Sequence, residues 1–425
     1  MQIIGIDIGT TSICGVAVNA ENGEILKSET INSNAFLESE KPFEKIQSPS
    51  KIIDIATKIL NSLITDDTAA IGVTGQMHGI VYTDKNGAAV SPLYTWQDKR
   101  GDEPYLDSTY AKHLGSFSGY GCVTDFYNKV NNLIPESAVS FCTIHDYLVM
   151  SICGLKTPII HSTNAASFGL YDIKNNRFTN GHSAEITNDF KIVGKYKNIP
   201  VSVAIGDNQA SVFSTIKNEN DLLINVGTGS QVSIISDRII TGEILETRPY
   251  FNNKYLIVGA ALCGGRAYSL LKDFYKAILL KNGDISDEKI YKIMTEMLES
   301  HSPALSVDTR FAGTRQAPDL SGSISGITTE NFTPEALTKG ILWGMCDELY
   351  NMFKAMETEI SGIVGSGNGT RKNKAFIKLC EEKFGYSLKI PTHLEEAAVG
   401  AAFFSGIAAN IFKSRAEAQK IINYR

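Results

Sequence analysis

The chain is 425 residues long, enough for two or three domains that each bury a core. With 43% hydrophobic and 20% charged residues it reads as globular, and a net charge of −6 argues against nucleic acid or an anionic membrane as partner. Seven scattered cysteines with no CxxC pair argue against a disulfide framework and predict reduced thiols in a cytoplasmic protein.

The first stretch, MQIIGIDIGTTSICGVAV, has two apolar runs around Asp7-Ile8-Gly9-Thr10-Thr11-Ser12 and predicts strand, tight turn, strand. It lacks a basic leader region and carries Asp7, so it does not read as a secretion signal. Apolar spacing from Gln47 to Thr65, started by Ser48-Pro49, predicts a helix. Ala69 to Thr74 predicts a short buried strand that runs into Gly75-Gln76-Met77-His78-Gly79, and Asn86-Gly87 marks a hairpin turn. The segment from Tyr94 to Arg100 mixes an aromatic with charges in a way a surface loop seldom needs. Phe141 to Gly154 reads as a helix and Thr163 to Asp172 as a loop with a short turn. Pro200 to Ile205 reads as a strand that stops at Gly206-Asp207-Asn208, with a helix from Asn208 to Ile216 behind it. Strand and helix in alternation predict an α/β sheet, whose ligands bind past the carboxyl ends of its strands. Asp207 stands at such an end.

Polar residues Lys217 to Asp221 read as a link, after which LLINVGTGSQVSIIS repeats the first hairpin. Asn225, Gly227 and Thr228 fall where Asp7, Gly9 and Thr10 fall, and Gly23-Glu24-Ile25-Leu26 returns as Gly242-Glu243-Ile244-Leu245. So long a period predicts two related halves. One copy alone would read as an ordinary hairpin; two at corresponding places favour a pair of phosphate-binding turns. Gly264-Gly265-Arg266 opens a predicted helix towards Leu280, Thr309 to Ile327 is irregular, and Pro334 to Met356 reads as a long helix. Ile363-Val364 predicts a strand leading to the loop Gly365-Ser366-Gly367-Asn368-Gly369-Thr370, then a helix from Arg371 to Lys383. The loop lacks the GKS or GKT of a Walker A motif. Ala397 to Phe412 is uncharged but too short for a membrane span, and predicts a buried helix.

These motifs, in this order, resemble the FGGY family of carbohydrate kinases within the actin-like ATPase superfamily, and within it the sedoheptulokinase and xylulokinase group. The stretches that carry the resemblance are IGIDIGTTS, VTGQMHGIVY, TWQDKR, HDYLVMSICG, TNAASFGLYD, AIGDNQAS, NVGTGSQ, ALCGGRAYSLL, the segment around FAGTRQAPDLSGSISGI, GSGNGTRKN and EEAAVGAAFFSGI. The resemblance implies an α/β protein of two actin-like ATPase (ribonuclease H-like) domains with a cleft between them. Residues 1–219 would carry the sugar site, first phosphate hairpin and catalytic base, and residues 220–425 the second hairpin and adenosine pocket. It implies ATP and Mg²⁺ as cofactors, and a ketose phosphorylated on a primary hydroxyl. The partners implied are small molecules, sugar and ATP, with no nucleic acid or membrane; room is left for a homodimer.

By resemblance, Asp207 is the catalytic base, with Asn208 beside it at the sugar. Asp7 is the acidic residue near magnesium. Gln76, Met77, His78, Trp96, Asp98 and Arg100 belong to motifs that contact sugar. Thr10, Thr11 and Ser12, with Gly227, Thr228 and Gly229, are the phosphate hairpins, and Gly365, Ser366, Gly367 and Asn368 the adenosine pocket. The second hairpin departs from the family pattern, reading Gly-Thr-Gly-Ser, which bears on the Ser230 hydroxyl. Chemistry weighs each assignment against a plainer one. Gln76 and His78, two apart at a strand end, are expected to project the same way. Asp98 could accept two sugar hydroxyls; Trp96 could cover a sugar face or pack in a core; His78 could be ligand or core; Met77 reads as packing. Asp207 could be a helix N-cap. A non-catalytic actin-like nucleotide switch is the alternative from another class, and it would need neither Asp207 nor the sugar motifs.

Overall fold

The structure, a computed structural model, describes residues 1–425 apart from 183, 281–283 and 318. It divides into two compact units. The first comprises residues 1–217, 248–254 and 393–423; the second comprises 218–247, 255–392 and 424–425.

In the first unit, strand Gln2–Ile8 pairs antiparallel with Ser12–Asn19 and parallel with Thr68–Gly75. The sheet runs Ile192–Tyr196, Ile199–Ser202, Thr68–Gly75, Gln2–Ile8, Ser12–Asn19, Ile25–Asn32, and Ile205–Gly206 adds beside the end of Thr68–Gly75. Gln2–Ile8 and Thr68–Gly75 are buried almost throughout, as expected of parallel strands covered on both faces. Helix Pro49–Leu63 makes the crossover between them. Ser48 caps it, and it buries Ile52, Ala56, Ile59, Leu60 and Leu63, one face at helical spacing.

Helix Glu396–Ala408 also packs in this first unit, buried almost all round. It lies backbone to backbone on the sheet: a Cβ at Gly5 would overlap the carbonyl oxygen of Ala398, and one at Gly72 that of Ala401. Gly400 in turn lets the helix meet the carbonyl of Ala210, on helix Asp207–Thr215.

The second unit repeats the plan. Its sheet includes, in order, Tyr255–Ala261, Ser230–Ser236, Asp221–Val226, Gly362–Ser366 and Leu388–Lys389. Asp221–Val226 pairs antiparallel with Ser230–Ser236 and parallel with Gly362–Ser366, as the first strand of the chain does with its neighbours. The two halves read from the hairpins are therefore two copies of one topology.

Several local expectations change. Residues 220–425 do not form one body, because 393–423 return to the first unit, as does the short segment 248–254. The Gly23 turn feeds a strand paired with Ser12–Asn19, whereas Gly242 and Leu245 bridge each other in a tight turn, and Ser230–Ser236 pairs instead with Tyr255–Ala261. The helix expected from Phe141 begins at Ile144, because a capping box between Thr143 and Asp146 starts it and Phe141 belongs to strand Ala138–Cys142. The loop expected after Thr163 holds helix Ser162–Ser167, capped by the His161 side chain. Residues Gly367 to Thr370 are already helical, in Gly367–Lys372, and Asn373 separates this turn from Lys374–Phe384. No helix among the described residues is long and apolar enough to cross a membrane.

The seating of Glu396–Ala408 gives a direct test. Gly5→Ala forces a methyl into a backbone carbonyl and should cost at least about 1–3 kcal/mol, the usual penalty of overpacking, in urea unfolding. An unchanged midpoint would mean that the helix is not seated on this strand.

Candidate active site

Asp7 stands near the end of the first strand, and the turn after it is held by side chains. The Thr10 hydroxyl donates to Gln76 Oε1 (3.3 Å) and accepts from Trp96 Nε1 (2.9 Å). The Thr10 carbonyl accepts from Gln47 Nε2 (2.7 Å), and Gln76 Nε2 donates to Gln47 Oε1 (2.9 Å). Thr10 thus spends its one proton inside the protein, and Gln76, buried, acts as a strut for the turn. Thr11 is exposed and Ser12 opens the second strand.

Gln76 and His78 do not project together. His78 has a left-handed backbone, φ 72°, which ends the strand alternation. Its ring stacks on Tyr120 at 4.2 Å and its Nδ1 lies 2.7 Å from the Ser167 carbonyl, so Nδ1 carries the proton. Met77 is buried with its thioether under Gly206, the residue before Asp207. Trp96 is 46% exposed, its indole nitrogen anchored to Thr10 and its ring open to solvent.

Asp98 and Arg100 are otherwise engaged. They are 0% and 1% exposed. Arg100 Nε donates to Asp98 Oδ1 (2.7 Å) and Nη2 to Oδ2 (3.1 Å), while the Lys45 amide also donates to Oδ2 (3.0 Å). Arg100 Nη1 reaches Asn128 Oδ1 (2.6 Å) and the guanidinium lies over the Tyr94 ring at 4.2 Å. Both oxygens of Asp98 are taken, so the pair braces the loop and the carboxylate offers a sugar nothing.

Asp207 is the first residue of helix Asp207–Thr215, with Gly206 in the cap position, so it is not an N-cap. Burial pushes its carboxyl up to about 6, against the Asn208 amide and the Arg248 guanidinium, which favour the ionised form. Arg248 Nη1 donates to Asn208 Oδ1 (3.1 Å). Asp7 rises further, to about 7, through burial and then the negative charges of Asp207 and Glu395. Among the described residues no three His, Cys, Asp or Glu side chains are arranged round a single metal position. Arg248 and Glu395 were missed from the sequence. Glu395 had a faint signal, as one of two acids opening a buried helix; Arg248 had none.

In the second unit the turn is held by backbone. Gly227 N–H donates to the Gly229 carbonyl (2.9 Å). The Gly265 and Arg266 amides at the start of helix Gly265–Leu279 donate to the carbonyls of Gly227 and Thr228 (both 3.0 Å). A Cβ at Gly264 would strike the peptide between Gly229 and Ser230, so only glycine allows this approach. Gly227 and Thr228 are exposed, whereas Ser230 is buried at the start of its strand, which takes its hydroxyl out of the turn's exposed edge. Gly365 and Ser366 are buried strand residues. Gly367, φ 78°, lies against the Val226 carbonyl (2.6 Å to an added Cβ), and Asn368 is exposed beside it.

The model of the FGGY family of carbohydrate kinases, N-terminal domain, matches residues 2–109, and that of its C-terminal domain matches residues 222–409. The chain is similar to sedoheptulokinase of Homo sapiens, 26% identical over 94% of this chain and 96% of that protein. A crystal structure of ligand-bound xylulose kinase from Lactobacillus acidophilus shares the fold, with TM-score 0.83, 18% identity, and 100% and 92% of the two chains covered. Glycerol kinase of Plasmodium falciparum with ADP does so at TM-score 0.79, 20% identity, and 99% and 92% coverage. The architecture is the α/β actin-like ATPase fold in two domains.

Two outcomes are expected. Asp98→Asn should lower stability by about 3–5 kcal/mol, as breaking a buried ion pair does, with the sugar KM of the folded fraction unchanged. A raised sugar KM at an unaltered unfolding midpoint would return Asp98 to the sugar site. For Asp7, a carboxyl raised from 3.8 to about 7 loses stability as pH climbs between those values, relative to a side chain that stays neutral. Asp7→Asn in chelator-treated protein should therefore melt above wild type at pH 8, by roughly 2–4 °C for each kcal/mol relieved, with the gap closing towards pH 4. Equal melting at both pH values would show that Asp7 carries no such penalty.

Proposed function

The chain belongs to the FGGY family of carbohydrate kinases, and we propose that it transfers the γ-phosphate of ATP to a primary hydroxyl of a ketose, with sedoheptulose the favoured acceptor. The observation that carries this reading is Asp207. It is a carboxyl at a strand end and helix start, raised to about 6, and joined to the Gln76-Met77-His78 turn through Met77 beneath Gly206. A base of that strength takes the proton of the attacking hydroxyl near neutral pH, a contribution of about 10²–10⁴-fold. Trp96 offers an open ring to the apolar face of a sugar, and Asn208, oriented by Arg248, offers its amide.

Phosphoryl transfer asks the protein mainly to position groups and balance charge. The turn at Gly227, Thr228 and Gly229, exposed at Gly227 and Thr228, suits phosphate oxygens, and the strand end Gly365-Ser366 delivers Gly367 and the exposed Asn368 to the nucleoside. In the first unit, Thr11 and Ser12 remain as hydroxyl donors while Thr10 clasps the turn. Asp7 is the residue that would hold Mg²⁺, whose chemistry when bound is to neutralise charge on the triphosphate. A carboxyl raised by two neighbouring acids is one that a cation would relieve. Sedoheptulose is favoured because sedoheptulokinase of Homo sapiens is 26% identical over 94% of this chain, against 24% over 98% for glycerol kinase of Aquifex aeolicus. All seven cysteines are free, which supports a reducing, cytoplasmic setting.

The test is ADP formation from Mg²⁺-ATP with sedoheptulose, xylulose, ribulose, fructose and glycerol, wild type beside Asp207→Asn. Turnover with a ketose, reduced about 10²–10⁴-fold in the variant with ATP affinity kept, is expected. Turnover with glycerol alone would move the acceptor to a polyol. Lost ATP affinity in the variant would make Asp207 a nucleotide or metal residue.

A further inference from the structure

The strand that delivers Asp207 is broken. Ile199–Ser202 ends before Val203 and Ala204, and only two paired residues, Ile205–Gly206, precede the catalytic helix. Ladder pairing on the approach to Asp207 is limited to Ile205 and Gly206 beside Thr74 and Gly75, and the remaining buried backbone groups there need other partners. Three side chains supply them on three successive residues. Asn164 Nδ2 donates to the Ala204 carbonyl (3.1 Å), Thr74 Oγ1 to the Ile205 carbonyl (2.8 Å), and the Gly206 amide to Thr163 Oγ1 (3.1 Å).

Two of the tethers, Thr163 and Asn164, are held from behind. The Thr163 amide donates to His161 Nδ1 (3.2 Å), so that nitrogen is an acceptor, and it also takes the Thr163 hydroxyl proton (2.9 Å). The hydroxyl is then turned so that its lone pair faces Gly206. Burial holds His161 neutral, its pKa lowered to about 3, which preserves this direction across the physiological range. Asn164 spends its second amide proton on Asp146 Oδ1 (2.9 Å). Thr74, His161, Thr163 and Asn164 are all fully buried. None of them is placed to touch a sugar.

We propose that Thr163 and Asn164, from the stretch TNAAS, are positioning residues that set the reach of the Asp207 carboxylate towards the acceptor hydroxyl. This rests on the reading of Asp207 as the base. A base displaced by about 1 Å costs on the order of 10²-fold in rate, so loss of one tether should act on the chemical step.

Thr163→Val keeps the size of the side chain but neither accepts from Gly206 nor donates to His161. With the best ketose of the panel as acceptor, kcat should fall about 10–10²-fold, while ATP KM and sugar-independent ATP hydrolysis stay within about twofold. Thr163→Ser, which restores the hydroxyl, should recover most of the rate. A merely structural role would lower the folded fraction and scale both activities together, and that result overturns the proposal. So does a kcat within about threefold of wild type in folded Thr163→Val when Asp207→Asn is inactive. If Asp207→Asn itself keeps sugar-dependent turnover, the base assignment fails and the positioning role with it. Should Thr163→Val not fold, Asn164→Ala, which cuts the neighbouring tether, is judged by the same split.

Discussion

Helix Glu396–Ala408 is fixed to its neighbours by backbone contact at Gly5, Gly72 and Gly400, with no room for a methyl group at any of them. Those contacts join the strand that bears Asp7, the strand that runs into the Gln76-Met77-His78 turn, and the helix that begins with Asp207. Close-packed interiors transmit displacement instead of absorbing it, so the mutual placement of these three segments depends on this one helix. The helix also carries Glu395 at its entrance, which brings a third acidic group into the region of Asp7.

The acidic groups so assembled work against stability. Every influence on Asp7 raises its pKa, whereas Asp207 has the Asn208 amide and Arg248 to favour its ionised form. Both carboxyls are thereby pushed up, Asp7 to about 7 and Asp207 to about 6, so the region favours a bound proton or cation over two bare negative charges.

Much of this was legible in the sequence because it is local. Two hairpins with an acid or amide before a small-residue turn identified the duplicated topology, and unbroken apolar runs identified the central strands and the buried final helix. What escaped depends on distant partners or on a single dihedral angle. Asp98 reads as a free acceptor until Arg100, Lys45 and Asn128 close round the pair. The shared projection of Gln76 and His78 assumed a strand that the positive φ of His78 ends. No local pattern tells that 393–423 pack on strands near the other end of the chain. The Gly242 echo failed because the same four residues form a turn in one half and lead into a strand in the other.

The two turns show how one topology can be held in different ways. The first is clasped by side chains, with Gln47, Gln76 and Trp96 all converging on Thr10. The second is clasped by amides at the start of helix Gly265–Leu279, with glycines where side chains would intrude. The side-chain clasp depends on Gln47, Gln76 and Trp96, each of which reaches the turn from a different stretch of the chain. The backbone clasp depends on glycine at 264, where a Cβ would strike the turn itself. One topology is therefore held by side chains whose substitution would loosen it in the first unit, and by an approach that only glycine permits in the second.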